Sequence, residues 1–221
     1  MKWGRLLQVF YIAGGLLVIS ILWFTTARPI VVLPRMRLSP GYGLQDASNS
    51  LVTSDQQRGL LTLYSFAYTR CGDDCRSMYA ALQEIDAALA DQPTRQPRLQ
   101  FITITVDPAR DTPEALAAFA LPFDPKTVQW RWLTGPQERV NAVASGGFEV
   151  LVQPRQDGSL FFTPLLVLVD GAGVVRASFE GSQIDSQNIL SQLALLYKEI
   201  ERSQGANRLA YEAAHFFACY P

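Results

Sequence analysis

The chain predicts an α/β domain, a mixed sheet flanked by helices, behind one N-terminal transmembrane helix. Three observations carry that reading. Residues 6–26, LLQVFYIAGGLLVISILWFTT, contain no charged side chain over 21 positions. Two runs rich in apolar and β-branched residues, Leu60–Thr69 and Arg98–Val106, each lead into a stretch of helical periodicity. Hydrophobic residues make up 48% of the 221 positions and charged residues 18%, a balance that favours a buried core over disorder. A net charge of −1 and the lack of a basic stripe give no electrostatic case for nucleic acid.

The elements follow in order. A short tail, 1–5, precedes the apolar run 6–26, which is long enough for a bilayer core of about 30 Å at about 1.5 Å per residue. It is too long for the usual signal-peptide apolar region, and Thr25-Thr26-Ala27 is a poor cleavage site. An uncleaved anchor with a cytoplasmic tail is therefore expected, placing the rest in the periplasm or intermembrane space. Residues 27–42, rich in proline, read as an extended tether to a domain at 43–202. LQDASNSLVT reads as two short strands around a Ser-Asn-Ser turn, and Leu60–Thr69 as a buried central strand.

Met78, Leu82, Ile85 and Leu89 recur on one helical face, so a helix runs from near Cys71 or Asp74 to about Asp91, closed by Pro93 and Pro97. Arg98–Val106 alternates as a second core strand. Thr112, Pro113 and Glu114 are the N-cap, first position and first-turn acid of the next helix. A WRWLTG strand and a helix from about Pro136 to Ser145 follow. Hairpins turn at Gln156-Asp157-Gly158 and at Gly171-Ala172-Gly173. An amphipathic helix closes the domain, and 203–221 forms a tail helix with an apolar face. Alternation of strands and helices before a hairpin is the α/β layout with a mixed sheet.

The chemistry concentrates at FAYTRCGDDC. Cys71 falls where a core strand ends and a helix begins, a place where free N–H groups and the helix dipole stabilise a thiolate. Cys75, four residues on, shares that face and can close a disulfide or complete a two-sulfur metal clip. Arg70 and Arg76 favour the thiolates, while Asp73 and Asp74 oppose them. Two buried thiols are the bland alternative, but the flanking Arg, Gly and Asp pull the segment toward water. So short a loop gains little as a purely structural crosslink, which leaves reactive dithiol chemistry as the better reading.

FAYTRCGDDC, ITVDPARDTPE and the downstream LTG resemble the Sco/SenC family of membrane-anchored, thioredoxin-like proteins of cytochrome c oxidase assembly, over about Gly43–Ile200. The resemblance implies a thioredoxin-like (peroxiredoxin/Sco-type) fold. It further implies Cu(I) or Cu(II) held by two cysteines and one histidine, with delivery of copper or electrons to the oxidase copper site. Cys71 and Cys75 match the cysteine pair and Asp73 the acidic residue between them. Asp107, Pro108, Arg110, Asp111, Thr112 and Pro113 match the second motif. Gly72 and Arg76 stand where the family usually has prolines, and Phe162 stands where its ligand histidine belongs. Two thiolates alone suit Cu(I), whereas Cu(II) prefers further nitrogen or oxygen donors, so the loss of the imidazole weakens the copper reading.

The one histidine, His215, replaces that ligand only if the tail folds across the cysteine pair; a tail helix packed on the domain, the bilayer or a partner is the plainer expectation. Cys219 is the odd thiol, free or paired. Met78, a soft donor, belongs to the core stripe. Arg110 and Asp111 are expected to pair near the cysteine loop, or to serve helix entry. By the resemblance, Pro164 is a cis proline against Cys71. Three functions stay open: a Sco-like factor acting through the dithiol by disulfide reduction or Cu(I) transfer; a copper-independent thiol–disulfide oxidoreductase; and a non-catalytic accessory subunit of a membrane respiratory complex. Expected partners are an oxidase subunit or another respiratory complex, a thiol–disulfide exchange partner and the membrane, with no nucleic acid.

Overall fold

The computed structural model of the chain describes residues 2–27, 31–90, 95–156, 158–181 and 184–218. Two units are distinguished, residues 1–34 with 195–221, and residues 35–194. In the first, α1 (Lys2–Ala27) is long and apolar enough over Leu6–Trp23 to cross a membrane. The second carries an eight-stranded sheet. In chain order it contains β1 (Arg37–Leu38), β2 (Gly43–Asp46), β3 (Leu51–Thr53), β4 (Leu61–Ala67), α2 (Arg76–Ala90) and β5 (Leu99–Thr105). Then come α3 (Pro113–Ala120), β6 (Gln129–Thr134), α4 (Gln137–Ala144), β7 (Val152–Pro154), β8 (Leu160–Phe162), β9 (Leu165–Val169) and β10 (Val174–Glu180). Helix α5 (Ser186–Arg202) leads out of this unit, and α6 (Arg208–Ala218) belongs to the first.

Strand order is β1-β10-β9-β4-β5-β6-β2-β3, with β7 and β8 forming a separate hairpin. β4 lies between a parallel β5 and an antiparallel β9, and β5 runs parallel to β6. Every residue of β4 and of β5 is buried. Strands covered on both faces need apolar side chains on both, which is why these two read as continuous apolar runs. Their few polar groups are paired: Ser65 Oγ lies 2.7 Å from Thr103 Oγ1, and Gln100 Nε2 donates to Gln57 Oε1 at 2.7 Å and to Thr62 Oγ1 at 2.9 Å.

The helices follow the periodicity. Met78, Leu82 and Ile85 of α2 are fully buried. Asp86 beside them is buried too, and its carboxylate accepts from the backbone N–H groups of Lys126, Thr127 and Val128 at 2.7, 2.9 and 2.9 Å. Thr112 caps α3 by accepting from Ala115 N at 3.3 Å, ahead of Pro113. The β9–β10 turn closes on Asp170, whose Oδ1 accepts from Ala172 N and Val174 N, with Gly173 at φ 76°. In the β7–β8 turn Gly158 has φ 79°, while Asp157 lies outside the described residues.

The stretch expected as a plain tether does more than connect. Its residues Arg37 and Leu38 pair with Val175 and Val174 of β10, flanked by Met36 N to Val175 O at 3.0 Å and Ser39 N to Gly173 O at 2.9 Å. An edge strand leaves N–H and C=O groups open, and the incoming chain satisfies them. Because β4 and β5 are parallel, both end on the same edge of the sheet, and the loops after them meet there.

Candidate functional site

β4 ends at Ala67, and the chain turns through Tyr68–Arg70, with Cys71 N donating to Tyr68 O at 3.0 Å. A single 3-10 turn, Gly72–Cys75, then leads into α2. The helix expected from near Cys71 is thus regular only from Arg76. Within that turn Gly72 adopts φ 61°, open to glycine and closed to the proline the resemblance would place there. Cys71 and Cys75 are joined by a disulfide, with their Cα atoms 5.7 Å apart. Cys71 is 6% exposed and Cys75 fully buried, so an approaching sulfur meets Cys71 first.

The charges around the pair sort differently from the expectation. Arg76 binds Asp73 on the surface, one turn apart. Arg110 does not pair with Asp111; its Nη1 donates to Asp107 Oδ2 at 2.8 Å, and Arg70 Nη2 lies 3.9 Å from the same oxygen. Asp111 turns inward instead and is completely buried. Its Oδ2 accepts from Thr69 N at 3.1 Å and from Thr105 Oγ1 at 2.5 Å, and its Oδ1 accepts from Thr69 Oγ1 at 2.5 Å. The physical reason is burial: a carboxylate without water needs several donors, and the ends of β4 and β5 supply them, whereas Arg110 reaches solvent.

The far wall of the site is the β7–β8 hairpin. Tyr68 OH lies 3.3 Å from both O and N of Leu160, and the Phe162 ring packs edge-on to the Tyr68 ring at 6.0 Å. Phe162 is 5% exposed, so the place of the expected histidine is filled by an apolar ring. Phe161 next to it faces outward at 44% exposure beneath the Arg155 guanidinium. Pro164 follows at the entry to β9, and its carbonyl accepts from Gly181 N at 3.0 Å. The cis bond expected there is absent: among the described residues the cis peptide bond is Gln96–Pro97. A trans proline suits an extended chain entering a strand, where no N–H is required of it.

His215 belongs to the first unit, and Cys71 and Cys75 to the second. Its Nε2 lies 2.9 Å from Glu199 Oε1, and both residues are buried. The buried glutamate takes the imidazole because it needs a partner of its own. Among the described residues no group of three His, Cys, Asp or Glu side chains could hold a metal ion. Cys219 lies outside those residues.

Sequence reasoning missed Tyr68, Thr69, Thr105 and Tyr79. Tyr79, one turn beyond Cys75, has a buried hydroxyl without a hydrogen-bond partner. Burial, and then the charge of Asp111, push its ionisation well above the usual tyrosine range. The available signal was Thr105 at the end of a buried strand, where a hydroxyl is tolerated only when it has a partner, and Thr69 just beyond the other.

The comparisons with known proteins agree with this geometry. The chain is 32% identical over 111 residues to the SCO2-like protein of Rickettsia prowazekii, covering 49% of this chain and 50% of that one. The match thus spans half the length of that relative. BsSco, described as a member of the Sco family of cytochrome c oxidase assembly proteins and as having a disulfide switch, superposes with a TM-score of 0.65 at 22% identity. That alignment covers 76% of this chain and 98% of BsSco. Copper-bound ScoI of Bradyrhizobium japonicum gives a TM-score of 0.58 at 25% identity, over 72% of this chain and 97% of ScoI. The SCO1/SenC family profile matches residues 33–198, which include the disulfide, Asp111 and the β7–β8 hairpin, and the chain belongs to the SCO1/SenC family.

Proposed function

We propose that the chain acts in assembly of the copper site of cytochrome c oxidase by exchanging a disulfide between Cys71–Cys75 and a partner protein. The observation that carries this reading is the Cys71–Cys75 disulfide at the junction of β4 and α2. Helix α1 anchors the chain in the inner membrane, with the sheet-bearing unit on the periplasmic or intermembrane-space side. A disulfide in a folded domain fits such an oxidising compartment.

A two-electron reductant first opens the Cys71–Cys75 bond. Cys71, the less buried sulfur, then attacks as thiolate on one sulfur of the partner's disulfide, forming a mixed disulfide and releasing the other partner sulfur as thiolate. Cys75 displaces the mixed disulfide, which leaves the partner as dithiol and the pair oxidised. The helix N-terminus favours the thiolate at each stage.

Copper bound by two thiolates and an imidazole does not fit the described residues. Phe162 occupies the imidazole's place, and the His215 Nε2 is engaged by Glu199. No step is assigned to the metal.

The test pairs two measurements on the full chain in detergent. The reduced chain is expected to convert an oxidised Cys-x-x-x-Cys peptide to its dithiol, with Cys71→Ser abolishing exchange and Cys75→Ser trapping a mixed disulfide. Cu(II) added to the reduced wild type is expected to give no sulfur-to-copper absorption band, whereas Phe162→His, restoring a third donor, is expected to give one. Tight one-to-one Cu(I) binding against a chromophoric chelator, with no peptide exchange, would overturn the redox reading in favour of metal transfer.

A further inference from the structure

We propose that Asp111 is a positioning residue for the redox pair: its buried carboxylate holds the Thr69–Cys71 turn in place when the disulfide is open, and so sets how readily the dithiol closes. The inference rests on the exchange reading above and goes beyond it by naming what controls the equilibrium.

Three hydrogens converge on Asp111 from the turn after β4 and from the end of β5. Thr69 contributes its N–H and its hydroxyl, and Thr105 its hydroxyl. The direction of the last follows from the carboxylate, which has no hydrogen to give: Thr105 Oγ1 accepts from Asp107 N at 3.0 Å and donates its own proton to Asp111. A carboxylate carries acceptor sites on both oxygens and no hydrogen, so it suits three donors; an amide in its place turns an NH2 toward at least one of them. Asp111 and Thr105 are buried and Thr69 is half-buried, so an unmet donor against this carboxylate costs more than one in open water.

The consequence reaches the cysteines through the chain. Thr69 lies two residues before Cys71, and Cys71 N is bonded back to Tyr68 O. Cys75 closes the 3-10 turn immediately before α2. While the S–S bond exists it fixes the two sulfurs together by itself. Once it opens, the separation of Cys71 from Cys75 depends on what anchors the Thr69 end, and Asp111 is the group that pins it to β5. Loosening that anchor lowers the effective concentration of one thiol at the other, which disfavours ring closure. Removing the negative charge also favours thiolate over disulfide. Both effects act in one direction, toward the dithiol.

The equilibrium to measure is protein disulfide plus two glutathione thiols giving protein dithiol plus glutathione disulfide. The Cys71–Cys75 bond breaks, a bond forms between two glutathione sulfurs, and two electrons and two protons pass to the protein. The full chain in detergent is equilibrated across a series of glutathione ratios, and the free thiols are trapped by alkylation and counted by mass. Asp111→Asn is expected to shift the dithiol-to-disulfide ratio about tenfold toward dithiol, equivalent to about 30 mV for this two-electron couple. Thr69→Val, which keeps the carboxylate but removes one donor, is expected to shift it about threefold in the same direction, and Thr69→Ser, which restores the hydroxyl, to stay within about twofold of wild type. A merely structural role would not move this readout, because a loss of stability equal in both redox forms leaves their ratio unchanged. Unshifted ratios in Asp111→Asn and Thr69→Val, or shifts toward disulfide, would overturn the proposal. Should Asp111→Asn fail to fold, Thr69→Val and Thr69→Ser decide it alone. A wild-type disulfide that glutathione never opens at any ratio would instead sink the underlying exchange reading.

Discussion

Gly72 shows how one residue determines the shape of the redox turn. Its φ of 61° lets the chain leave Cys71 and re-enter a helical turn within four residues, bringing the two sulfurs into one bond. A Cβ at this position would meet no atom within 4 Å, so the constraint is the backbone conformation and not space. Gly72→Ala is therefore expected to cost about 1–2 kcal/mol, the penalty of a left-handed conformation for an L residue. Gly72→Pro fixes φ near −65° and is expected to do worse, since the turn must be rebuilt. Thermal melting of the oxidised full chain in detergent measures both, and a melting temperature unchanged in Gly72→Ala would show that the turn adapts freely. Nothing in the string Cys-Gly-Asp-Asp-Cys announces this conformation. The sequence places a glycine where the family resemblance would put a proline, and only the fold shows that the two residues demand different turns.

Secondary-structure elements were readable where one face or both faces are apolar. The buried runs of β4 and β5, the stripe of α2 and the Thr112-Pro113 start of α3 were each legible because burial and capping act locally on residue choice. β1 was not, because two residues pairing an edge carry no periodicity and their partners lie far along the chain. Asp111 reads in sequence as half of a charged pair near the cysteine loop or as a helix-entry residue, because its neighbours are visible there, whereas its donors at 69 and 105 come together only when β4 and β5 pair. Asp86 is the same kind of case: a charged residue on the buried side of α2 that looks like a flaw in the stripe. Its carboxylate closes the loop entering β6 by taking three backbone N–H groups. Asp86→Ala leaves those donors unmet and is expected to destabilise the sheet-bearing unit by about 2–4 kcal/mol. Asp86→Asn, which keeps an acceptor oxygen, is expected to lose about half as much. Thermal melting reads the difference, and equal melting temperatures for wild type and Asp86→Ala would show that the loop finds other partners.

At the scale of the whole chain, the segment after α1 and the C-terminal tail converge on one carboxylate. Glu199 near the end of α5 accepts from Leu33 N at 3.2 Å through Oε2 and meets His215 Nε2 at 2.9 Å through Oε1. The glutamate and the histidine are both buried, so this contact takes place with little water to compete. It explains why the single histidine is placed in an otherwise apolar tail without requiring a metal: the imidazole satisfies a buried acid and fixes α6 to α5. Residues farther along, including Cys219, lie outside the described part of the tail. If the contact fastens α6, its loss should raise the population of a detached tail before it affects the sheet. A hydrogen bond to a charged group contributes about 1.5–3 kcal/mol, which corresponds to at least a tenfold rise in local opening. Trypsin cleavage after Arg208, at the start of α6, is therefore expected to run at least tenfold faster in His215→Ala than in wild type, and about threefold faster in Glu199→Gln, which keeps a neutral partner for the imidazole. The glutathione equilibrium of Cys71–Cys75 is expected to stay at the wild-type value in both variants. Cleavage at equal rates would mean that the tail is held by its apolar face alone, and a redox shift in His215→Ala would return the histidine to the cysteine site.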